Sequence, residues 1–244
     1  MRRHEVTDRQ WEVTVPLLSG KPTDCGVTAK DNRSFVNAVV WIMRTGYPWA
    51  DLPECFGFSN TVCKRFRRLA LKAYGSACSN PCKPPSWEWV MLDSTVVRAH
   101  QHSASQKRDA ETECLGRSRG GIGTKIHACV GALGNAVRLI ATPGQAGDSP
   151  QALSLLADLA PDQVLADTAY DSDATGACCT EKGIEAVIPS HPGRTEARPM
   201  DEEAYRDRNK VERFFDRLKQ YRRLARATKK RSSPSSPSGI LMQC

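Results

Sequence analysis

Apolar residues in the first third of the chain recur every three to four positions, the period of a helix with one buried face. Thr7-x-x-Gln10 reads as a capping box opening a short helix, with Trp11, Val15 and Leu18 turned inward. A second helix follows Asp31, with Phe35, Val36, Val39, Val40, Ile42 and Met43 at helical spacing and Gly46 as its stop. A tight apolar turn, Tyr47 to Pro53, leads to a third helix capped by Ser59 or Asn60, with Val62, Phe66, Leu69 and Ala73 inward. Residues 80–86, Asn-Pro-Cys-Lys-Pro-Pro-Ser, form a stiff boundary. Beyond it the pattern changes. Strands are predicted over 87–97, 124–130 and 136–140, the last two joined by a hairpin at Gly131–Asn135. A helix over 149–159, a strand at 164–166, a helix over 173–182 and a strand at 186–189 come next. A Pro/Arg-bearing loop over 190–200 then precedes a last helix over 201–225. Residues 98–119, with His100, His102, Lys107 and Arg108, read as a long mobile loop. This order predicts a mixed sheet with helices packed against it.

Charge adds a partner to this outline. The 244 residues carry a net +8, distributed as +5 over 1–80, −6 over 81–204 and +9 over 205–244. Two basic ends around an acidic middle suit a polyanion held at a metal site. Lys64, Arg65, Arg67, Arg68 and Lys72 crowd the polar surface of the third helix. Three short helices ending in a basic one resemble a helix-turn-helix module, which favours DNA over a merely solvated face. No apolar run reaches the length of a membrane span, and the N-terminus lacks an apolar signal core. A cytoplasmic protein without membrane contact is expected, nucleoid-associated when DNA-bound. Its ten cysteines are then mostly reduced thiols, since Cys78-x3-Cys82 and Cys178-Cys179 match zinc spacing only loosely.

Three acidic residues carry the candidate chemistry. Asp93 ends the apolar run Trp87 to Leu92, Asp167 ends Val164 to Ala166, and Glu212 sits in the basic helical stretch after Tyr205. A carboxylate at the end of a buried strand is costly without a partner. Three such groups together make an oxygen site for a hard cation such as Mg²⁺. Tyr205, Arg208, Glu212 and Lys219 follow Y-x2-R-x3-E-x6-K. On one continuous helix they fall within an arc of roughly 60°, beside an apolar edge of Val211, Phe214, Phe215 and Leu218. His127 reads as a strand or core-edge residue, and His100 and His102 as DNA contacts rather than metal ligands. The glycines of 116–123 lack the Lys-Ser/Thr of a phosphate loop.

These motifs, in order, resemble bacterial insertion-sequence transposases of the DDE type, family five within the insertion-sequence-four superfamily. The likeness runs from residue 1 to about 225. It includes Arg3 to Trp11, Trp41 to Pro53, Leu92-Asp-Ser-Thr-x-Val-Arg-Ala-His100, Thr124-Lys-Ile-His127, Asp167-Thr-Ala-Tyr-Asp-Ser-Asp173 and the stripe on the last helix. The resemblance implies an α/β fold: a ribonuclease-H-like mixed-sheet catalytic domain at 87–228, after a helix-turn-helix-like DNA-binding domain at 1–79 and a linker at 80–86. It implies Asp93, Asp167 and Glu212 as catalytic ligands of two Mg²⁺ ions, with Mn²⁺ able to substitute. It also implies Tyr205, Arg208 and Lys219 as contacts to the transposon end. The expected partners are double-stranded DNA, as terminal inverted repeats and target, and a second copy in a homodimer. Two alternatives stand beside strand cleavage and transfer: a catalytically impaired, truncated copy acting as a DNA-binding regulator, and a stand-alone nuclease. The regulator reading rests on the tail. After Arg226 the pattern gives way to Thr228-Lys-Lys-Arg-Ser-Ser-Pro-Ser-Ser-Pro-Ser-Gly, which cannot form a closing helix. One codon set for Ala227–Arg231, read one base earlier, spells Arg-Tyr-Glu-Lys-Thr, similar to the family's continuation. A frame slip, a disordered 229–244 and a protein that binds DNA better than it cuts it are therefore expected.

Overall fold

In the computed structural model, residues 4–24, 28–77, 88–99 and 114–227 are described. The expected linker at 80–86, the histidines at 100 and 102, Lys107, Arg108 and the tail at 229–244 lie outside the described residues. The chain divides into two compact units: Met1–Ala73 with Gln220–Ala225, and Tyr74–Lys219 with Arg226–Cys244.

The first unit is helical. α1 (Asp8–Thr14) opens on the expected capping box: Thr7 Oγ1 accepts from Gln10 N, and Gln10 Oε1 accepts from Thr7 N. α2 (Asn32–Thr45) is capped by Asp31, whose carboxylate accepts from Ser34 N at 2.8 Å. It ends at Gly46, whose φ of 77° favours glycine, and where a Cβ would meet the Arg222 Cβ at 3.1 Å. α3 (Ser59–Ala77) completes a core of Phe35, Ala38, Ile42, Leu52 and Val62, with Trp41, Trp49, Phe56, Phe66 and Leu69 around it. Trp11, Val15 and Leu18 are only half-buried, and Leu17 is exposed.

The basic face of α3 splits in two. Lys64, Arg67 and Arg68 are exposed and, at spacings of three and four, share one side. Arg65 turns inward. Its guanidinium donates to Ser19 O at 3.1 Å and to Asn32 Oδ1, and lies 4.2 Å from the Phe35 ring centre. These contacts tie Arg65 into the packing of the helical unit. We expect Arg65→Ala to lower stability by about 1–2 kcal/mol through the lost hydrogen bonds and cation–π contact. Arg68→Ala should leave the melting temperature nearly unchanged; equal shifts for the two would contradict this division.

The second unit is built on a mixed sheet. β1 (Trp89–Ala99), β2 (Gly116–Ser118), β3 (Gly121–Gly131) and β4 (Ala136–Pro143) come first. α4 (Ser149–Leu155), β5 (Gln163–Ala166), α5 (Asp173–Lys182) and β6 (Glu185–Val187) follow. β3 pairs antiparallel with β1, β2 and β4, while β1, β5 and β6 run parallel. The backbone of the sheet is thus β4-β3-β1-β5-β6, an antiparallel meander joined through its first strand to two parallel strands. This is the ribonuclease-H-like arrangement. Alternation sorts the core onto two faces. Val90, Leu92, Val164 and Ala166 pack with Leu155, Leu156 and Cys179 on one face. Met91, Leu165 and Val187 pack with Val211 and Phe215 on the other.

Two expectations change. The loop predicted over 98–119 gives up both its ends to strands, since β1 runs on to Ala99 and Gly116–Ser118 pairs with β3. The helix predicted over 201–225 is three pieces: α6 (Glu202–Arg206), α7 (Asn209–Lys219) and α8 (Arg222–Ala225). At the first break the backbone closes i→i+3 bonds, from Asp207 N to Ala204 O and from Arg208 N to Tyr205 O. Asp207 and Asn209 flank it, and both favour turns because their side chains compete for backbone hydrogen bonds. Beyond α7 the segment Gln220–Ala225 joins the helical unit. There Arg44 stacks 4.6 Å from the Tyr221 ring centre and Arg223 donates to Tyr47 O at 2.9 Å. β7 (Arg226–Ala227) then pairs parallel with the end of β1.

Candidate active site

The register of β1 and β5 decides the first two positions. Leu92 lies beside Ala166 in this parallel pair, so the next residues, Asp93 and Asp167, leave the ladder side by side. The side chain of Asp93 is 15% exposed, and its Oδ1 accepts from Ser94 N at 2.7 Å. Asp167 caps a short 3₁₀ turn (Thr168–Tyr170), its Oδ1 accepting from Ala169 N at 3.1 Å. Glu212 comes from the first turn of α7, where the helix dipole favours a carboxylate, and Val211 and Phe215 fix that helix on the Met91 face.

Arg208 joins these groups. Its Nη2 lies 3.4 Å from Asp93 Oδ2 and its Nη1 lies 3.1 Å from Glu212 Oε1. Burial pushes the Asp93 carboxyl up; the Ser94 N–H and Arg208 oppose this, and Asp167 and Glu212 add to it. Such mutual repulsion is what a cation relieves. Among the described residues, no three carboxylate, imidazole or thiol groups stand close enough to chelate one ion as they are placed. The acids therefore gather beside the middle of β1, where β5 ends, with a guanidinium between two of them, rather than as a finished chelate. The donor set fits a hard divalent cation: it is all oxygen, and two of its members already share a positive group.

The remaining predicted residues are placed unequally. Tyr205 lies on α6, across the break from Arg208, and is half-buried against the Met91 cluster. The single 60° stripe thus reduces to Arg208, Glu212 and Lys219, with Lys219 exposed at the end of α7. His127 is fully buried in β3. The side chain of Lys72 is outside those described. Among the described cysteines none is in a disulfide, and burial pushes the Cys129 thiol up to about 12.

Three features were missed in the sequence. Asp148 is held by Lys125 and His127. The Tyr170 hydroxyl is buried without a hydrogen-bond partner, and is pushed up first by burial and then by Asp148, Asp93 and Asp167. Arg194 and Arg198 each bind both Asp171 and Asp173. Asp148-Ser-Pro reads as an ordinary helix cap, and the two arginines sat in an unassigned loop, so spacing alone gave no signal for either.

Comparison with known proteins agrees with this architecture. Residues 88–233 match the family model "Transposase DDE domain", and residues 6–74 match "Putative transposase of IS4/5 family". The chain belongs to the DDE transposases. The first match continues past Arg226, where the motifs had ended. A "Putative transposase for insertion sequence element IS6501" from Brucella ovis is 42% identical over 104 residues, 42% of this chain and 80% of that protein. The "Uncharacterized protein y4sN" of Sinorhizobium fredii is 34% identical over 102 residues, 41% of this chain and 82% of that one. A "pre-cleavage Mos1 transpososome" crystal structure aligns over 89% of this chain and 85% of that chain, at 8% identity and a TM-score of 0.29, a likeness too loose to support anything further. The transposase is thus a DDE-type enzyme, and the chemistry of its family depends on a divalent metal. Among the described residues, no helix is long and apolar enough to cross a membrane.

Proposed function

We propose that this transposase binds the terminal inverted repeats of its own element and catalyses strand cleavage and strand transfer with Asp93, Asp167 and Glu212. The observation that supports this reading is that Asp93 in the middle of β1 and Asp167 just after β5 come from adjacent strands, with Arg208 between Asp93 and Glu212 of α7. The three would hold Mg²⁺, as two ions, with Mn²⁺ able to substitute. When bound, such ions activate the attacking hydroxyl and stabilise the leaving oxygen of an in-line displacement at phosphorus.

The chain supplies the rest. Arg208 and Lys219 set positive charge along one side of α7, where phosphate oxygens gain negative charge during transfer. Tyr205, from α6, would contact the same transposon end. Lys64, Arg67 and Arg68, with Lys72 on the same helix, form the basic face that a helix-turn-helix-like unit turns to DNA. A homodimer would bring two ends together, and the cytoplasm, on the nucleoid, is the place of action.

The test is nicking of a supercoiled plasmid carrying the matched inverted repeats that flank the gene. Cleavage at the ends with Mg²⁺ or Mn²⁺, and none with chelator, supports the reading. Selective binding without cleavage would favour the regulator, and cleavage without joining the nuclease. For the basic face, replacing Lys64, Arg67 and Arg68 by alanine should weaken end binding. It should also flatten the dependence of log affinity on log salt by up to three phosphate contacts, about 0.9 in slope for each. An unchanged salt slope would remove this face from the DNA interface.

A further inference from the structure

The sheet carries a second polar cluster directly behind Asp93. Ser94 points to the face opposite Asp93, and its register partner on β3 is His127. His127 is fully buried; its Nε2 lies 2.8 Å from Thr142 Oγ1 and its Nδ1 lies 3.2 Å from Asp148 Oδ1. Lys125, two residues earlier on the same face, donates from Nζ to Asp148 Oδ2 at 2.7 Å and to Ala146 O at 3.2 Å. Ser94 also favours the charged form of the Asp148 carboxylate. Burying this set costs more than burying apolar side chains of the same volume. Asp148 also forgoes a gain, because it stands at the N-cap of α4 yet makes no capping bond there. Its carboxylate is turned instead to Lys125 and to His127, the register partner of Ser94.

We propose that Asp148 is a positioning residue for Asp93: seated on Lys125 and His127, it holds Ser94 by the hydroxyl, and Ser94 gives its backbone N–H to Asp93 Oδ1. With Oδ1 fixed at 2.7 Å, Oδ2 is the oxygen turned toward Arg208. The Tyr170 hydroxyl, buried and without a hydrogen-bond partner among the described residues, is pushed up first by burial and then by the field of Asp148, Asp93 and Asp167. Partners that orient a ligating group tune metal affinity, and losing one typically costs about 10–100-fold in affinity or activity. The inference rests on the metal-dependent cleavage proposed above.

The test uses the full chain with Asp148→Asn and, separately, Ser94→Ala, which removes only a hydroxyl. Three quantities are read: melting temperature, the Mn²⁺ concentration giving half-maximal plasmid nicking, and Mn²⁺ bound without DNA, by electron paramagnetic resonance. We expect the half-saturating Mn²⁺ to rise about tenfold in both variants. The rate at saturating Mn²⁺ should change less than threefold, and the double variant should be no worse than the more affected single. Loss of activity in step with melting temperature at unchanged half-saturation would overturn the positioning role. If Asp148→Asn fails to fold, Ser94→Ala decides alone. Should Asp93→Ala nick as the wild type does, the reading of the site fails. Should it be inactive while both variants match the wild type in Mn²⁺ dependence, only the role of Asp148 fails.

Discussion

Asp93→Ala should abolish metal-dependent end cleavage and leave end binding within a few-fold of the wild type. The carboxylate stands on β1 just past its pairing with β5, beside Asp167, and shares Arg208 with Glu212. Removing it breaks the oxygen set at its centre. A ligated divalent ion supplies several kcal/mol of charge stabilisation in phosphoryl transfer, and each 1.4 kcal/mol is about tenfold in rate, so a loss of about 10³-fold or more follows. Folding should suffer little. Burial and the neighbouring acids already push the Asp93 carboxyl up, so the ionised group is not a source of stability there. Arg208 keeps Glu212 as its partner. Quantitative nicking and end-binding assays at one salt concentration, with a melting curve, test all three statements. Cleavage within tenfold of the wild type would remove Asp93 from the catalytic set, and lost end binding would show that it serves DNA directly.

How much of this was legible follows from where each signal sits in the chain. The two aspartates announced themselves, because an acid closing an apolar run is a local pattern, although β1 runs on past Asp93 to Ala99. Gly46 and Asp31 were legible for the same reason, since a stop and a cap are set by one residue's backbone freedom or side-chain oxygen. The break before Arg208 was not. Helical periodicity continues through Asp207 and Asn209, and only the i→i+3 bonds formed there distinguish two helices from one. What sets Arg65 apart from its neighbours was not legible, because charge on a helix looks alike from every side. Its commitment to Phe35, Ser19 and Asn32 depends on how α2 and the 18–20 turn pack. The attachment of Gln220–Ala225 to the helical unit depends on contacts separated by over 170 residues, between Arg44 and Tyr221 and between Arg223 and Tyr47. No local pattern carries that distance.

The Asp167-Thr-Ala-Tyr-Asp-Ser-Asp motif holds the second large effect, in a residue with no assigned chemistry. Asp171→Ala should destabilise the catalytic unit by about 2 kcal/mol, while Asp173→Ala should barely move the melting temperature. Both acids bind the same two arginines. Their exposure separates them: the Asp171 side chain is 1% exposed and that of Asp173 is 88% exposed. Asp171 accepts from His191 N at 2.7 Å, Arg194 Nε at 2.9 Å and Arg198 Nη1 at 3.0 Å. Burial alone would push its carboxyl up, but Arg194, the His191 N–H and Arg198 together bring it down. Removing it strands a backbone N–H and two cations that are themselves only partly hydrated. The figure lies below the usual cost of breaking a buried pair because Arg194 and Arg198 remain 21% and 34% exposed and keep Asp173. At 2–4 °C per kcal/mol for a unit of this size, the melting temperature should fall by roughly 6 °C. Cleavage should suffer too, since Asp171 N donates to Thr168 O and so closes the 3₁₀ turn that Asp167 caps. Thermal melts of the two single variants decide it: equal shifts would mean that the arginines, not the buried acid, hold the loop.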